Sequence, residues 1–288
     1  MAVKTEPGLQ TCVATENLCP QKAILRAFLE KETMIANYHS HTTRCRHAQG
    51  SEREYVENAI ARGLKTFGFS DHTPQWFPGS YYSTMRMFPE QLEDYCQTVR
   101  ALREEYAGKL EIPLGVEVEN YPDIFDELML RLRDAGIEYM LLGQHWIGNE
   151  EGEPYSGRAT EDIRQLERYC NQVIDGMYTG LFSYVAHPDL LHFVGSARAY
   201  EQQMRRLCKA SVATDTPLEI NLLGILTRRN YPNDTFWQIA AEEGCKTVLG
   251  IDAHTPEQIL ETESEQSALR LAKRCGLAVL DEIALRKI

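Results

Sequence analysis

Seven short segments rich in apolar, β-branched and aromatic residues alternate with longer amphipathic segments along most of the chain. The apolar segments span residues 34–41, 65–72, 111–119, 138–146, 181–188, 217–225 and 246–254. Helix-like segments lie between them at residues 52–63, 90–108, 124–136, 160–180 and 235–245. Seven strand–helix alternations predict parallel strands joined by crossover helices, in either an α/β barrel or an open doubly wound sheet.

The motifs that are missing favour the barrel. No G-x-G-x-x-G turn follows the first apolar segment and no G-x-x-x-x-G-K-[ST] loop occurs, so a nucleotide-binding open sheet loses support. A barrel of 288 residues is normally one domain, and 43% hydrophobic residues suffice for its core. Residues 1–33 are predicted to be an N-terminal extension, and residues 34–288 the barrel.

The charge balance restricts the partners. A formal net charge of −12 argues against a non-specific nucleic-acid binder, which needs a basic face. An anionic substrate would need local positive charge from arginines or metal ions. No apolar run approaches the roughly 20 residues of a membrane span, and the N-terminus lacks the continuous apolar core of a secretory signal. A cytoplasmic protein without membrane partners is therefore expected.

The eight cysteines are scattered and form no C-x-x-C pair, which predicts free thiols in a reducing compartment. Cys45 falls among the histidines of the segment NYHSHTTRCRHA, residues 37–48. It is either a soft metal ligand or, as we expect, a bystander thiol.

Histidines and carboxylates collect at the ends of the predicted strands. Seven of the eight histidines lie at, or just after, a carboxyl-terminal strand end, which is where α/β barrels place their active sites. A single histidine there is more often an ordinary hydrogen-bonded residue than a ligand, but one metal cluster explains the whole set. His192 is not at a strand end and is interpreted as an ordinary helix or loop residue.

The types of residue in this set indicate the metal chemistry. Nitrogen and carboxylate ligands without cysteine suit Zn²⁺, Fe²⁺ or Mn²⁺. One ion uses three or four protein ligands, so nine candidates predict two or three divalent ions. The nine candidates are His39, His41, His47, His72, Glu117, His145, His187, Asp252 and His254.

The order of these motifs resembles the polymerase-and-histidinol-phosphatase (PHP) superfamily. The motifs are HSH (39–41), His47, SDH (70–72), GVEVE (115–119), GQHW (143–146), AHPD (186–189) and DAH (252–254), and the resemblance covers about residues 34–260. Four further features resemble the histidinol-phosphate phosphatase branch: SDHTP from residue 70, MRM (85–87), LEIN (218–221) and Tyr231–Pro232.

The resemblance implies a distorted (β/α)7 TIM-like barrel with three metal ions. His39, His41, Glu117 and Asp252 would hold the first ion, Glu117 with His145 and His187 the second, and His47, His72 and His254 the third. The implied reaction is hydrolysis of a small phosphate monoester, above all L-histidinol phosphate, by a water activated between two metals. Asp252, Glu117 and His254 are the expected catalytic residues.

Two other functions stay open at this stage. One is a phosphoesterase of the same superfamily that acts on nucleotides, sugar phosphates or phosphotyrosine. The other is a non-catalytic metal-binding domain, against which the apparently complete ligand set argues. A panel of phosphate esters separates the first from L-histidinol phosphate hydrolysis, and a metal-loaded protein inactive on every ester would indicate the second.

Arginines are expected to complete a phosphate site, because the guanidinium fork matches phosphate oxygens. The candidates are Arg86, Arg158, Arg228 and Arg229, each of which could instead be a solvated surface residue. Glu119 is expected either to meet a cationic group of the substrate or to support the metal ligands. The aromatic segment of residues 75–88 either closes over the substrate or packs on the barrel rim.

Overall fold

A computed structural model describes residues 33–288 and contains each of the seven predicted strands. The strands are β1 (Ala36–Asn37), β2 (Thr66–Phe67), β3 (Gly115–Val118), β4 (Tyr139–Leu142), β5 (Tyr184–Val185), β6 (Leu218–Asn221), β7 (Lys246–Gly250) and β8 (Ala278–Val279). β8 lies outside the seven predicted strands. Residues 1–32, nearly all of the predicted extension, lie outside the described residues.

All strand pairings are parallel, as predicted. One ladder joins β1 to β2, and a second runs in order from β3 to β8. A bridge between His72 and Glu117 connects β2 to β3, and a bridge between Ser40 and Ala253 connects the end of β1 to the end of β7. The seven predicted strands thus follow one another around a distorted barrel, so their carboxyl ends face one mouth.

The helices cover the outside of the strands. They are α1 (Glu52–Arg62), α2 (Leu92–Glu105), α3 (Phe125–Ala135), α4 (Ile163–Tyr178), α5 (Ala197–Ala213), α6 (Leu222–Leu226), α7 (Asp234–Glu243), α8 (Pro256–Leu260) and α9 (Glu263–Cys275). Five of them match the helix-like segments, whereas α5, α6, α8 and α9 were not predicted.

The predicted strand at residues 217–225 is too long. β6 ends at Asn221, whose side chain accepts a hydrogen bond from the backbone N–H of Gly224 and caps α6. The apolar run LLGIL therefore continues as a helical turn. A continuous apolar run does not by itself distinguish a buried strand from a buried helix, which explains the error.

Two apolar layers hold the barrel together. The larger layer lies between strands and helices and contains the fully buried side chains of Phe67, Val116 and Trp237. The smaller one fills the barrel, where Tyr139 lies against Gly115 so closely that any Cβ at residue 115 would overlap its ring. Close packing of this kind leaves the strand register little freedom.

The C-terminal tail covers the barrel end opposite to the histidines. Ile283 and Leu285 pack on the apolar interior, and the Arg286 guanidinium donates to the carbonyl oxygens of Thr214 and Asp215, at 2.7 and 2.8 Å. Residues 33–288 form one compact unit. None of the helices in this part of the chain combines the length and hydropathy needed to cross a bilayer.

Candidate metal centre

Four predicted ligands converge where β1, β3 and β7 end. His39 Nε2 and His41 Nε2 are 3.3 Å apart, and Asp252 Oδ1 lies 3.4 Å from the first and 3.0 Å from the second. Glu117 Oε2 is 3.6 Å from both nitrogens. Ligand atoms around a tetrahedral zinc ion, with bonds of about 2.0–2.1 Å, are about 3.3 Å apart, so these four atoms are spaced as one ion requires.

The second oxygen of Glu117 faces two other histidines. Glu117 Oε1 lies 2.9 Å from His187 Nε2 and 3.7 Å from His145 Nε2. Residue 143, directly after β4, is a glycine, and a Cβ there would overlap the Glu117 side chain. The two oxygens of Glu117 therefore face two separate groups of histidine nitrogens. A carboxylate that bridges two metal ions has this arrangement.

His47, His72 and His254 form a third group, whose ligand atoms lie within 4.8 Å of one another. His47 Nδ1 donates to the Cys45 carbonyl and His254 Nδ1 to the Asp252 carbonyl, both at 2.9 Å. These bonds leave the Nε2 lone pairs of both rings free for a ligand role. His72 also belongs to a group with His41 and Glu117, so it connects the third group to the first.

Several buried atoms of this cluster have no well-aligned hydrogen-bond partner within residues 33–288, although His72 Nδ1 lies 3.0 Å from Glu117 Oε2 and His41 Nε2 lies 3.0 Å from Asp252 Oδ1. They are Glu117 Oε2, Asp252 Oδ1, His72 Nδ1 and His187 Nδ1. A buried polar atom without a partner is costly, so such atoms need an explanation. Two of the four are carboxylate oxygens at the centre of the first group, where a bound cation would satisfy them.

Neighbouring charges shift the pKa values of carboxylates and histidines in the cluster. Burial opposes ionisation of Glu117 and Asp252, but the surrounding imidazoles outweigh it and hold both pKa values well below the ordinary range. Burial likewise opposes protonation of His41, but hydrogen bonds to Asp252 and Asp71 outweigh it and raise the His41 pKa to about 9. The ionised carboxylates thus attract positive charge, and a metal ion must compete with a proton for the His41 imidazole.

Two of these residues also have unusual backbone conformations. The φ angles of His187 and Asp252 are 30° and 55°, in a region that side-chain-bearing residues rarely occupy. Such conformations cost on the order of 1–3 kcal/mol each and are found mainly where function requires them.

Two carboxylates outside the predicted ligand set, those of Glu219 and Asp71, lie behind His39 and His41. His39 Nδ1 lies 3.0 Å from both oxygens of Glu219, and His41 Nδ1 lies 3.4 Å from Asp71 Oδ1. Carboxylate partners of this kind fix the tautomer and the orientation of a metal-binding histidine. Glu219 is a glutamate within the apolar strand LEIN, and that placement was the available signal.

Glu219 occupies space that only a glycine on β7 leaves open. A Cβ on Gly250 would overlap its carboxylate. We expect Gly250→Ala to displace Glu219 from His39 and to lower metal affinity and activity by about 10–100-fold, the usual cost of losing such a partner. Metal titration and steady-state kinetics measure both effects.

The matched control is Gly244→Ala. Gly244 caps the end of α7, and a Cβ there meets no atom within 4 Å. Because its φ of 79° disfavours alanine, this variant is expected to lose some stability but to bind metal normally. Equal metal affinities for the two variants would contradict the role assigned to Gly250.

A cavity of about 530 Å³ opens beside the cluster, a size typical of small-molecule sites. Its wall includes His47, His254, Met85, Tyr155 and Arg229, together with other residues.

The predicted phosphate-binding arginines fall in different places. Arg229 lines the cavity, and Tyr231 and Thr227 hold its guanidinium at 2.8 and 3.2 Å. Arg158 and Arg228 are exposed and are not part of the described cavity wall.

Arg86 is fully buried away from this wall. It donates to both oxygens of Glu119, at 2.9 and 3.0 Å, and to Glu150 at 2.5 Å. Glu119 in turn lies 3.1 Å from His145 Nδ1. Burial raises the Glu119 pKa, but Arg86 and His145 outweigh it and keep that pKa below its ordinary value. The geometry therefore places Glu119 behind the predicted ligand His145 and Arg86 behind Glu119.

The aromatic segment of residues 75–88 packs on the rim. Phe77 contacts Tyr81 and Tyr121, with ring centroids 4.9 and 6.3 Å apart, and Trp76 lies under the Arg131 guanidinium. Thr84 and Met85 of the same segment line the cavity. The segment thus forms part of the rim and part of the cavity wall.

Two residues left aside by the ligand assignment have clear positions. Cys45 is buried, and its sulfur lies within 4.8 Å of ligand atoms of His41 and His254. Burial raises the pKa of its thiol, which favours the neutral form. His192 lies in the loop between β5 and α5, where its backbone N–H donates to the Ser156 carbonyl.

Comparison with known proteins gives matches over most of the chain. Residues 37–222 match the profile of the PHP domain. A protein of Deinococcus radiodurans named "Probable histidinol-phosphatase" is 30% identical over 235 residues, which cover 79% of this chain and 89% of that protein. A Schizosaccharomyces pombe protein of the same name is 23% identical over 274 residues, covering 86% of this chain and 89% of its own length.

The fold is similar to that of a solved bacterial structure. It is the histidinol phosphate phosphatase of Lactococcus lactis, solved with zinc, L-histidinol and phosphate. The TM-score is 0.69 at 20% identity, and the match covers 87% of this chain and 99% of that one. The predicted α/β class and TIM-like barrel are confirmed.

Proposed function

The chain belongs to the PHP domain family, and we propose that it uses divalent metal ions to hydrolyse L-histidinol phosphate to L-histidinol and phosphate. The named relatives support an enzyme that acts on phosphate monoesters. Residues 34–288 carry this activity in our proposal, with residues 1–33 as an extension.

The observation that carries the proposal is the convergence of nine ligand side chains beside a cavity of substrate size. Buried carboxylate oxygens without partners lie at the centre of this cluster, and Arg229 lies on the cavity wall. A negatively charged chain needs such local positive charge to bind a phosphate dianion, because its net charge of −12 repels anions at long range.

The ligand geometry supports three ions, as the family resemblance implies. We assign His39, His41, Asp252 and Glu117 Oε2 to the first, and Glu117 Oε1, His145 and His187 to the second. His47, His72 and His254 are assigned to the third. Bound divalent ions would lower the pKa of a coordinated water and offset the charge of the phosphoryl oxygens. Donors of nitrogen and oxygen suit Zn²⁺, Fe²⁺ or Mn²⁺ alike.

The protein's own groups orient the substrate in this proposal. Tyr231 and Thr227 hold the Arg229 guanidinium in place, so that it can donate hydrogen bonds to phosphate oxygens in a fixed geometry. His254 borders the cavity with its Nδ1 hydrogen committed to the Asp252 carbonyl. Met85, Tyr155 and Leu223 form a largely apolar wall that suits the leaving alcohol and its ring.

A comparison of substrates tests the proposal. The metal-loaded protein should hydrolyse L-histidinol phosphate with a kcat/KM at least about 100-fold above those for a nucleoside monophosphate, a sugar phosphate and phosphotyrosine, which corresponds to about 2.7 kcal/mol of selective transition-state binding. A higher value for any other ester would assign the enzyme to that substrate. A fully loaded protein without activity on any ester would contradict catalysis altogether.

Arg229→Ala is expected to lower kcat/KM for the phosphate monoester by about 10–100-fold. The lost charge-assisted hydrogen bonds contribute on the order of 1.5–3 kcal/mol, and each 1.4 kcal/mol is a factor of ten. Steady-state kinetics at saturating metal measure the effect. Arg228→Ala is the control, because the neighbouring arginine is exposed outside the described cavity wall and should change kcat/KM less than twofold. Similar losses in both variants would contradict the role of Arg229.

A further inference from the structure

Arg86 is the centre of a buried polar network behind the metal ligand His145. Its two terminal nitrogens donate to the two oxygens of Glu119, and Glu119 Oε1 contacts His145 Nδ1. Arg86 and Glu119 are both almost inaccessible to solvent. A planar guanidinium that binds both oxygens of a carboxylate restricts that carboxylate to one orientation. The carboxylate of Glu119 in turn restricts the orientation of the His145 ring.

A second carboxylate holds Arg86 from another direction. Glu150 Oε2 lies 2.5 Å from the guanidinium, and the same oxygen accepts from the Tyr121 hydroxyl at 3.2 Å. Glu150 Oε1 accepts from the Tyr81 hydroxyl at 3.0 Å. Glu150 is buried and has a φ of 76°, so the loop after β4 adopts an unfavourable backbone conformation to deliver this carboxylate.

The backbone around Arg86 forms part of the substrate cavity. Thr84 and Met85, directly before it, line the cavity wall, and Met85 Sδ accepts from Trp146 Nε1 at 3.0 Å. The Arg86 carbonyl accepts from Arg46 Nε at 3.2 Å, and residue 46 directly precedes the ligand His47. Arg86 thus connects the cavity wall with His47 of the third group through its carbonyl and with His145 of the second group through Glu119.

We propose that Arg86 is a positioning residue that acts through Glu119 to orient His145 for metal binding, while its backbone fixes the cavity wall at Met85. Arg86 therefore does not bind the substrate phosphate. This inference rests on the proposed metal-dependent function, but metal affinity is measured without substrate, so its outcome does not depend on which ester is hydrolysed.

The test is a double-mutant cycle with metal affinity as the readout. Arg86→Lys keeps the positive charge but loses the guanidinium that binds both oxygens of Glu119. Glu119→Gln keeps the size of the side chain but loses the carboxylate charge. Titration of the metal-free proteins with Zn²⁺ in chelator buffers should show affinity for one ion reduced about 10–100-fold in each single variant. If Arg86 acts through Glu119, the double variant should lose no more affinity than Glu119→Gln alone.

Controls separate positioning from general stability. Arg103 makes the same two-pronged contact with Glu138, at 2.8 and 2.6 Å, far from the cluster, so Arg103→Lys should leave Zn²⁺ affinity unchanged. Glu150→Gln removes the charge of the second carboxylate that binds Arg86, and should lower Zn²⁺ affinity less than Glu119→Gln does. This variant keeps the test possible if Arg86→Lys does not fold. Additive losses in the cycle, or wild-type affinity in folded Arg86→Lys and Glu150→Gln proteins, would overturn the proposal.

Discussion

Glu117→Gln is expected to abolish activity and to reduce the number of tightly bound metal ions per chain. Glu117 Oε2 belongs to the first ligand group and Oε1 to the second, so one substitution removes negative charge from both. The fall in kcat should exceed the roughly 100-fold loss typical of a supporting partner of a ligand. Elemental analysis after dialysis and steady-state kinetics measure the two effects.

A control variant distinguishes this loss from unfolding. Glu138→Gln removes a partly exposed carboxylate that pairs with Arg103 near the start of β4, away from the metal centre. Its metal content and kcat should equal those of the unmodified protein, and the circular dichroism of both variants should be unchanged. Full metal content and normal kcat in Glu117→Gln would show that Glu117 is not a ligand.

Removal of the metal ions is expected to eliminate activity and to lower the melting temperature by at least about 10 °C. A ligand present at 1,000 times its Kd stabilises the folded state by about 4 kcal/mol per site, and each kcal/mol shifts the melting temperature of a chain of this size by roughly 2–4 °C. Glu117 Oε2 and Asp252 Oδ1 explain why the loss is large, because without an ion neither buried oxygen has a well-aligned hydrogen-bond partner among residues 33–288. Calorimetry with and without chelator measures the shift.

Reconstitution completes this experiment. Adding back Zn²⁺ or Mn²⁺ should restore both the melting temperature and hydrolysis, and two or three ions per chain should be bound at saturation. Fewer than two ions per chain under replete conditions would contradict the proposed cluster, because nine predicted ligand side chains converge in the structure. Loss of activity without a change in melting temperature would instead indicate that the chelator acts on the substrate or product.

The polar residues at the strand ends were predictable because two rules act locally. Alternation along a strand places His39 and His41 on one face, and parallel crossover topology places every strand's carboxyl end at one mouth. The motif order supported the PHP resemblance, which the domain match confirms. The length of β6 was misjudged because Asn221 ends the strand through a side-chain bond that apolar periodicity does not reveal.

The candidate arginines show what strand alternation and topology do not predict. Arg86, Arg158, Arg228 and Arg229 all lie in segments that follow predicted strands, and the sequence gives each the same chemical suitability for phosphate. Burial separates Arg86, which is enclosed by two carboxylates, from the three exposed arginines, and of these three Arg229 borders the cavity. Glu219 was missed for the related reason that its partner, His39, lies 180 residues away.

The sequence by itself determined the order of the strands, the residue types at their carboxyl ends and the family, since these depend on periodicity and motif order along the chain. The tertiary structure decided which oxygen of Glu117 faces which histidines, which carboxylates lie behind the predicted ligands, and which arginine borders the cavity. Those assignments depend on distances of about 3 Å between residues far apart in sequence. Such distances follow from how the barrel and its glycines bring side chains together, and no local pattern encodes them.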